Sequence, residues 1–300
     1  MEDSQDGRAG ALSALVRLAR PHQWTKNAFV LAPLLFARVA SQPRLLAAAL
    51  GATLLFCLAS SAVYVLNDVV DAPADRAHPI KRKRPVASGE ISPSLGIAFS
   101  ALLAIAALTG SLLLSRDFTL VVSIYFAVNL FYSLGARKVA LLDAMLIGAS
   151  FVLRVLGGAA AIGVAASHWV LLCTFLLALF LAFSKRRAEL RLLDQDPGRH
   201  RPALRGYTPE LLDRFDAILL AATVVCFALY TVAPETVAKV GSDRLIYGVP
   251  FVIYGLFRYL LLVESGGDSG EPGTLALRDG PLLLCVALWT AFSAWVLYAP

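Results

Sequence analysis

The sequence predicts an all-α, polytopic membrane protein, a bundle of nine transmembrane helices. Three observations carry that prediction. The chain is 58% hydrophobic and 16% charged, with a mean hydropathy of +0.69, well above the apolar share of ordinary soluble domains. Apolar stretches of roughly 17–25 residues, the length that crosses a bilayer as a helix, recur along the whole chain. Breaks of Pro, Gly and charge separate these stretches. At 300 residues a soluble protein would be expected to hold two domains. The recurring spans argue instead for a single intramembrane domain over 25–300 behind a tail of residues 1–24.

The spans fall near 25–41, 44–66, 95–114, 117–133, 140–163, 168–184, 211–232, 245–263 and 281–298. The first is short. Very short links near Ser115 and Ala166 predict antiparallel helical hairpins. The first 26 residues are polar and mixed in charge, without the apolar core of a signal peptide.

Orientation follows from the Lys and Arg bias between alternate loops. With the N-terminus inside, the N-terminal stretch through Lys26 and the loops 67–94, 134–139, 185–210 and 264–280 hold 19 basic residues. The outer loops hold 5, namely Arg38, Arg44, Arg116, Lys239 and Arg244. That asymmetry predicts a cytoplasmic N-terminus in a multi-pass plasma-membrane protein. The net charge of +6 is then partly topological, and nucleic acid is not an expected partner.

The four cysteines, Cys57, Cys173, Cys226 and Cys285, lie far apart inside apolar runs and form no CxxC pair, which argues against a thiolate metal site or a disulfide framework. The four histidines show no HExxH-like spacing. Any metal should therefore be a hard cation with oxygen ligands.

The second span ends in Asn67, Asp68, Asp71 and Asp75, and five cations follow within ten residues of the last acid. Positions i, i+3 and i+7 share a helical face, so the three acids can point together. Carboxylates brought this close repel one another unless a cation sits among them. Mg²⁺ fits, because it binds one or two carboxylates plus substrate phosphate oxygens. Lys81, Arg82 and Arg84 in HPIKRKRP are suited to phosphates that the metal does not cover. Acids for Mg²⁺ beside bases for phosphate make a candidate diphosphate site at the cytoplasmic interface. Pro73 lies inside the acidic motif, where it removes an N–H and clashes with the carbonyl of Val69. The second span is expected to break there, leaving Asp75 on a loop and Asp68 and Asp71 as the better metal candidates.

NDxxDxxxD followed by KRxRP, at the end of the second of nine spans, resembles the UbiA superfamily of intramembrane prenyltransferases. The resemblance implies an all-helical bundle with a cytoplasmic active site and a diphosphate held through Mg²⁺ by the aspartate motif. Within the superfamily, several segments resemble the decaprenyl-phosphate phosphoribosyltransferase branch. RPHQWTKN, Arg20 to Asn27, is similar to that branch's RPxQWxKN, which implies Lys26 as a phosphate contact. YSLGARKVALLD, Tyr132 to Asp143, followed by FVLRVLGG, is similar to YSxxxK…LD…GFxLR. By spacing, Arg137 stands where a Lys is usual, and Lys138 follows it. The stretch from Arg258 to Leu283 is similar to the branch's C-terminal LL-E-x-G…LxD.

After the sixth span, aromatic prenyltransferases usually carry a second acidic motif. This chain has SKRRAEL, so Lys185 and Arg186 stand where acids would be expected. That basic loop suits a donor with an additional phosphate, and phosphoribosyl pyrophosphate has that shape. Asp194 and Asp196 keep open the alternative of a displaced acidic motif and a prenyl diphosphate donor with a 4-hydroxybenzoate-type acceptor. Asp143 and Arg154 are eleven residues apart, about three turns, and intramembrane ionisable groups face a polar cavity or each other. Gly157 and Gly158 are expected to be close helix-packing positions. The resemblance thus implies transfer of 5-phosphoribosyl from phosphoribosyl pyrophosphate to a polyprenyl (decaprenyl) phosphate, for cell-wall arabinan precursors. A homo-oligomer stays open. An anion transporter is disfavoured, because the charges gather on one side and no inverted repeat is visible.

Overall fold

Starting signals place most of the helices. Pro stands in the first turn of α2 (Pro43–Arg76), α3 (Pro93–Leu114), α7 (Pro209–Val232) and α8 (Pro234–Val240), where its missing N–H has no partner to lose. Ser92 and Thr208 cap α3 and α7 by accepting from the N–H groups of Leu95 and Leu211. The remaining helices are α1 (Ala32–Phe36), α4 (Arg116–Leu134), α5 (Leu142–Ile162), α6 (His168–Leu192), α9 (Val249–Ser265) and α10 (Gly280–Tyr298). This computed structural model describes residues 12–77, 80–192, 202–265 and 278–298, and no strand occurs among them.

Among the described residues, eight helices are long and apolar enough to cross a membrane, and the protein is a multi-pass membrane protein. The first expected span, 25–41, takes a different form: a 3-10 stretch over Pro21–Leu31 and then the short α1. Pro33 in the first turn of α1 has no N–H to give. Asn27 is fully buried and donates to Cys57 Sγ and Ser60 Oγ, each at 3.2 Å. Polar anchoring of this kind fixes the segment against α2.

The expected break at Pro73 does not occur. Helix α2 continues to Arg76, and Asp75 is buried on it. Pro73 stands in the last turn, where only one backbone bond is at stake, and Arg84 grips carboxylates on both sides of it. The helix is 34 residues long, about 51 Å at 1.5 Å per residue, against ~30 Å of hydrocarbon. Its acidic end therefore has the length to run beyond the apolar layer.

The chain divides into two compact units. The first comprises Met1–Ser133 and Leu153–Ala165; the second comprises Leu134–Val152 and Ala166–Pro300. In the first, Phe56 meets Phe118 and Tyr125 edge-on at centroid distances of 5.8 and 5.5 Å. Small residues Ala52, Ala59 and Ala107 are completely buried and let helices approach closely. Ser100 Oγ crosses from α3 to donate to the Ala62 carbonyl at 2.8 Å. Ser115 makes the short α3–α4 link by accepting from the Phe118 N–H and donating to the Ala160 carbonyl. In the second unit, Phe180, Leu256, Tyr259, Val263 and Leu282 form one core. Asp279 caps α10 through the Leu282 N–H and takes a two-point contact from Arg258 at 3.1 and 2.8 Å.

The close approaches make a direct prediction. A Cβ on Gly158 would lie 1.9 Å from the Val30 carbonyl oxygen, a backbone atom that cannot step aside. Gly158→Ala should destabilise the protein by about 1–3 kcal/mol, read as a lowered unfolding midpoint in detergent.

Candidate active site

The acidic end of α2 is a knot of charge. Asp68 is 2% exposed. It accepts from Arg20 Nη2 at 2.5 Å and from Arg84 Nη1 at 3.1 Å. The same Arg84 nitrogen reaches Asp75 at 2.7 Å, so one guanidinium ties together two carboxylates seven residues apart. Arg84 follows the 3-10 turn Lys81–Lys83. Arg76 holds this loop to the helix end through the Ala87 carbonyl at 3.4 Å, and Arg17 pairs with Glu90.

Arg20 adopts the left-handed region at φ 54°, an uncommon conformation for a residue with a side chain. Local bonds hold it there. Ser61 donates to the neighbouring Ala19 carbonyl at 2.8 Å, Trp24 Nε1 donates to Ser61 at 3.0 Å, and the Arg20 guanidinium lies 5.5 Å from the Tyr64 ring centre. Deeper in the same unit, Arg154 donates to Asn27 Oδ1 at 2.8 Å and to the Tyr125 hydroxyl at 3.2 Å, with its charge over the Tyr125 ring. Asn67 accepts from Ser133 Oγ at 2.6 Å.

The second unit holds its own cluster. Asp143, fully buried, accepts from Arg186 Nε at 2.9 Å and from the Tyr207 hydroxyl at 3.1 Å. Arg186 also reaches Glu189. Burial pushes the Tyr207 hydroxyl up to about 12, so it stays protonated and donates. Arg187 meets Asp213, Asp216 and Glu264 at 2.7, 3.7 and 2.5 Å. At the head of α10 the Arg258 contact holds the Asp279 carboxyl below its ordinary range.

A profile of the UbiA prenyltransferase family matches residues 28–275. The chain belongs to that family. It is 33% identical over 295 residues to the decaprenyl-phosphate phosphoribosyltransferase of Mycolicibacterium smegmatis, covering 93% of this chain and 90% of the relative. It is 34% identical over 287 residues to the enzyme of the same description from Mycobacterium tuberculosis, covering 94% of each. Its fold is similar to that of a UbiA homolog from Archaeoglobus fulgidus bound to GPP and Mg²⁺, with a TM-score of 0.71 at 19% identity over 95% of this chain and 99% of that one.

The sequence-predicted residues of this UbiA family member distribute as follows. Asn67, Asp68, Asp71, Asp75, Lys81, Arg82, Arg84, Lys26, Tyr132 and Arg154 belong to the first unit. Arg137, Lys138, Asp143, Lys185 and Arg186 belong to the second. Lys26, Lys81, Arg82 and Lys138 are exposed, while Asp71, Tyr132, Arg137 and Lys185 are half-buried. Arg186, expected on a donor phosphate, is instead buried against Asp143 and Glu189. Any phosphate there competes with two carboxylates. Asp194 and Asp196 lie outside the described residues, as do His78 and Pro79.

Arg20, Asn27, Tyr125 and Tyr207 were not among the expected site residues. Arg20 and Asn27 bound the RPHQWTKN segment, and a buried polar side chain in such a run signals a partner.

Asp68, Asp75 and the Asn67 carbonyl offer hard oxygen donors, the chemistry that suits a hard divalent cation. Among the described residues no group of three or more His, Cys, Asp or Glu is placed to enclose a metal. Substrate oxygens and water would have to complete the shell, which is how Mg²⁺ is commonly bound.

Removing Asp143 should take from the buried Arg186 the carboxylate that meets its Nε at 2.9 Å. Asp143→Ala is expected to lower stability by about 3 kcal/mol, measured by denaturation in detergent.

Proposed function

We propose that this protein transfers 5-phosphoribosyl from phosphoribosyl pyrophosphate to a polyprenyl phosphate, decaprenyl phosphate in the first instance, releasing diphosphate. The observation that carries the reading is the 33% identity, across 93% of the chain, to a decaprenyl-phosphate phosphoribosyltransferase. Lys185, standing where a second acidic motif would be expected, supports it over a prenyl diphosphate donor. The product would feed synthesis of arabinan precursors for the cell wall. The Lys and Arg asymmetry supports a cytoplasmic N-terminus and an active site at the cytoplasmic face of the plasma membrane.

Asp68, Asp71 and Asp75, with Asn67, would hold Mg²⁺, which when bound neutralises charge developing on the leaving diphosphate. Arg84 keeps Asp68 and Asp75 together and, with Lys81 and Arg82, orients diphosphate oxygens. Lys26, Tyr132, Arg137, Lys138 and Lys185 contact the donor, its 5-phosphate above all. Asp143 and Arg186 pair with each other within the second unit, and Arg154 fixes the RPHQWTKN segment through Asn27. The ribosyl centre passes through an oxocarbenium-like state, as in other glycosyl transfers. A phosphate monoester has a second pKa of about 6, so the acceptor is largely dianionic at neutral pH and needs no general base. Positioning and electrostatic stabilisation supply most of the acceleration.

Two expected outcomes test the reading with purified protein. Asp71→Asn should cut turnover by orders of magnitude while the protein elutes and unfolds as wild type. Near-normal activity in that variant would remove Asp71 from the metal site. A ribose 1-diphosphate donor lacking the 5-phosphate should lose roughly 1.5–3 kcal/mol of charge-assisted contact, about tenfold to a few hundredfold in kcat/KM. Equal use of that donor, or product from geranyl diphosphate and 4-hydroxybenzoate, would displace the phosphoribosyl reading.

A further inference from the structure

The segment carrying Arg137 and Lys138 has little regular structure to hold it. It begins at Gly135 (φ 157°), makes one 3-10 turn over Ala136–Lys138, and ends at Leu141 with φ 67°. A leucine in the left-handed region is sterically strained, its Cβ crowding the following carbonyl oxygen. Something must fix it there, and the bonds at Leu141 identify what. Its N–H donates to the Tyr207 hydroxyl at 2.5 Å, and its carbonyl accepts from the Met145 N–H at 2.9 Å.

The direction of the Tyr207 bonds is set by chemistry. A carboxylate only accepts, so the hydroxyl proton points to Asp143 and the oxygen lone pairs remain for the Leu141 N–H. Asp143 is itself held by Arg186. A chain of four groups, Arg186 to Asp143 to Tyr207 to the Leu141 backbone, thus runs from α6 to the end of the basic segment. The Tyr207 ring rests edge-on against Phe183 of α6 at 5.9 Å. Next to it, a Cβ on Gly206 would lie 2.6 Å from Ala140 Cβ. The 202–207 stretch presses directly on the 140–141 backbone.

We infer that Tyr207 is a positioning residue whose hydroxyl holds the backbone carrying Arg137 and Lys138 in the conformation with which those cations meet an anionic substrate. The identity of that anion, the donor phosphate, rests on the function proposed above. Tyr207 touches no substrate in this role; it acts through Leu141.

Tyr207→Phe in the full-length protein in lipid nanodiscs keeps the ring contact with Phe183 and removes only the hydroxyl. Amide hydrogen exchange should accelerate at least tenfold at Leu141 and rise across 135–141. The KM for phosphoribosyl pyrophosphate should rise about threefold to tenfold, the effect of losing one or two net hydrogen bonds. The KM for the lipid phosphate should stay near wild type. Gly206→Ala crowds Ala140 without touching the hydroxyl and should raise the donor KM in the same way. Unchanged exchange over 135–141, or equal rises in both KM values, overturns the inference. If wild-type protein uses no phosphoribosyl donor, the proposed function falls. The exchange measurement then decides alone: faster exchange in Tyr207→Phe supports the strut, and unchanged exchange removes it.

Discussion

A charge that leaves water without a partner costs several kcal/mol, and inside a membrane-embedded bundle no solvent comes to its aid. That constraint organises this protein. Asp68 carries two arginines, Asp143 an arginine and a tyrosine, and Arg187 three carboxylates. Arg154 adds neutral groups to the scheme: it donates to the Asn27 amide oxygen and the Tyr125 hydroxyl, with its charge over the Tyr125 ring face. An aromatic face attracts a desolvated cation by up to about 2 kcal/mol, so a ring can stand in part for an anion. Arg187 is less completely served, since its Nε and Nη2 are buried and meet no hydrogen-bond acceptor among the described residues.

The same constraint explains what the sequence revealed. Span positions were legible because hydrocarbon selects long apolar runs, and the acidic motif because three carboxylates at an apolar helix end are conspicuous. The hairpin at Ser115 was legible as a short link, although its mechanism, one hydroxyl serving two helices, was not. Pro73 reads as a break only when its local effect is taken alone. A proline that breaks a helix interior is tolerated in a last turn when a side chain from a following loop bridges it, and Arg84 lies nine residues beyond Asp75. The 3-10 form of the 21–31 segment was hidden for a similar reason, since it follows from Asn27 anchoring on residues thirty or more positions away.

The partners that build the site are separated even more widely. Arg20 and Asp68 are 48 positions apart, Asp143 and Tyr207 64, Asn27 and Arg154 127. Periodicity and motif spacing report neighbours within one element and carry no information on such pairs. Arg186 shows the consequence. Its place in SKRRAEL reads as a phosphate contact, and only the fold shows that Asp143, from another helix, lies against it.

Burial then sorts the many cations of this chain by task. Arg154, Arg186 and Arg187 are buried and committed to protein groups, where each guanidinium fixes two or more elements at once. Lys26, Lys81, Arg82 and Lys138 are exposed at segment ends and turns. An exposed ammonium or guanidinium keeps most of its hydration in the folded chain, so its contacts add little to stability. A buried arginine is the reverse: removing it damages the scaffold before it touches the substrate. The membrane makes this division sharper than in a soluble enzyme, because a cation that is neither paired nor at the aqueous edge has no stable place. Arg84 stands on the boundary between the two classes. It is partly exposed and still bound to two carboxylates of the aspartate motif, so the geometry of the acidic cluster depends on one side chain.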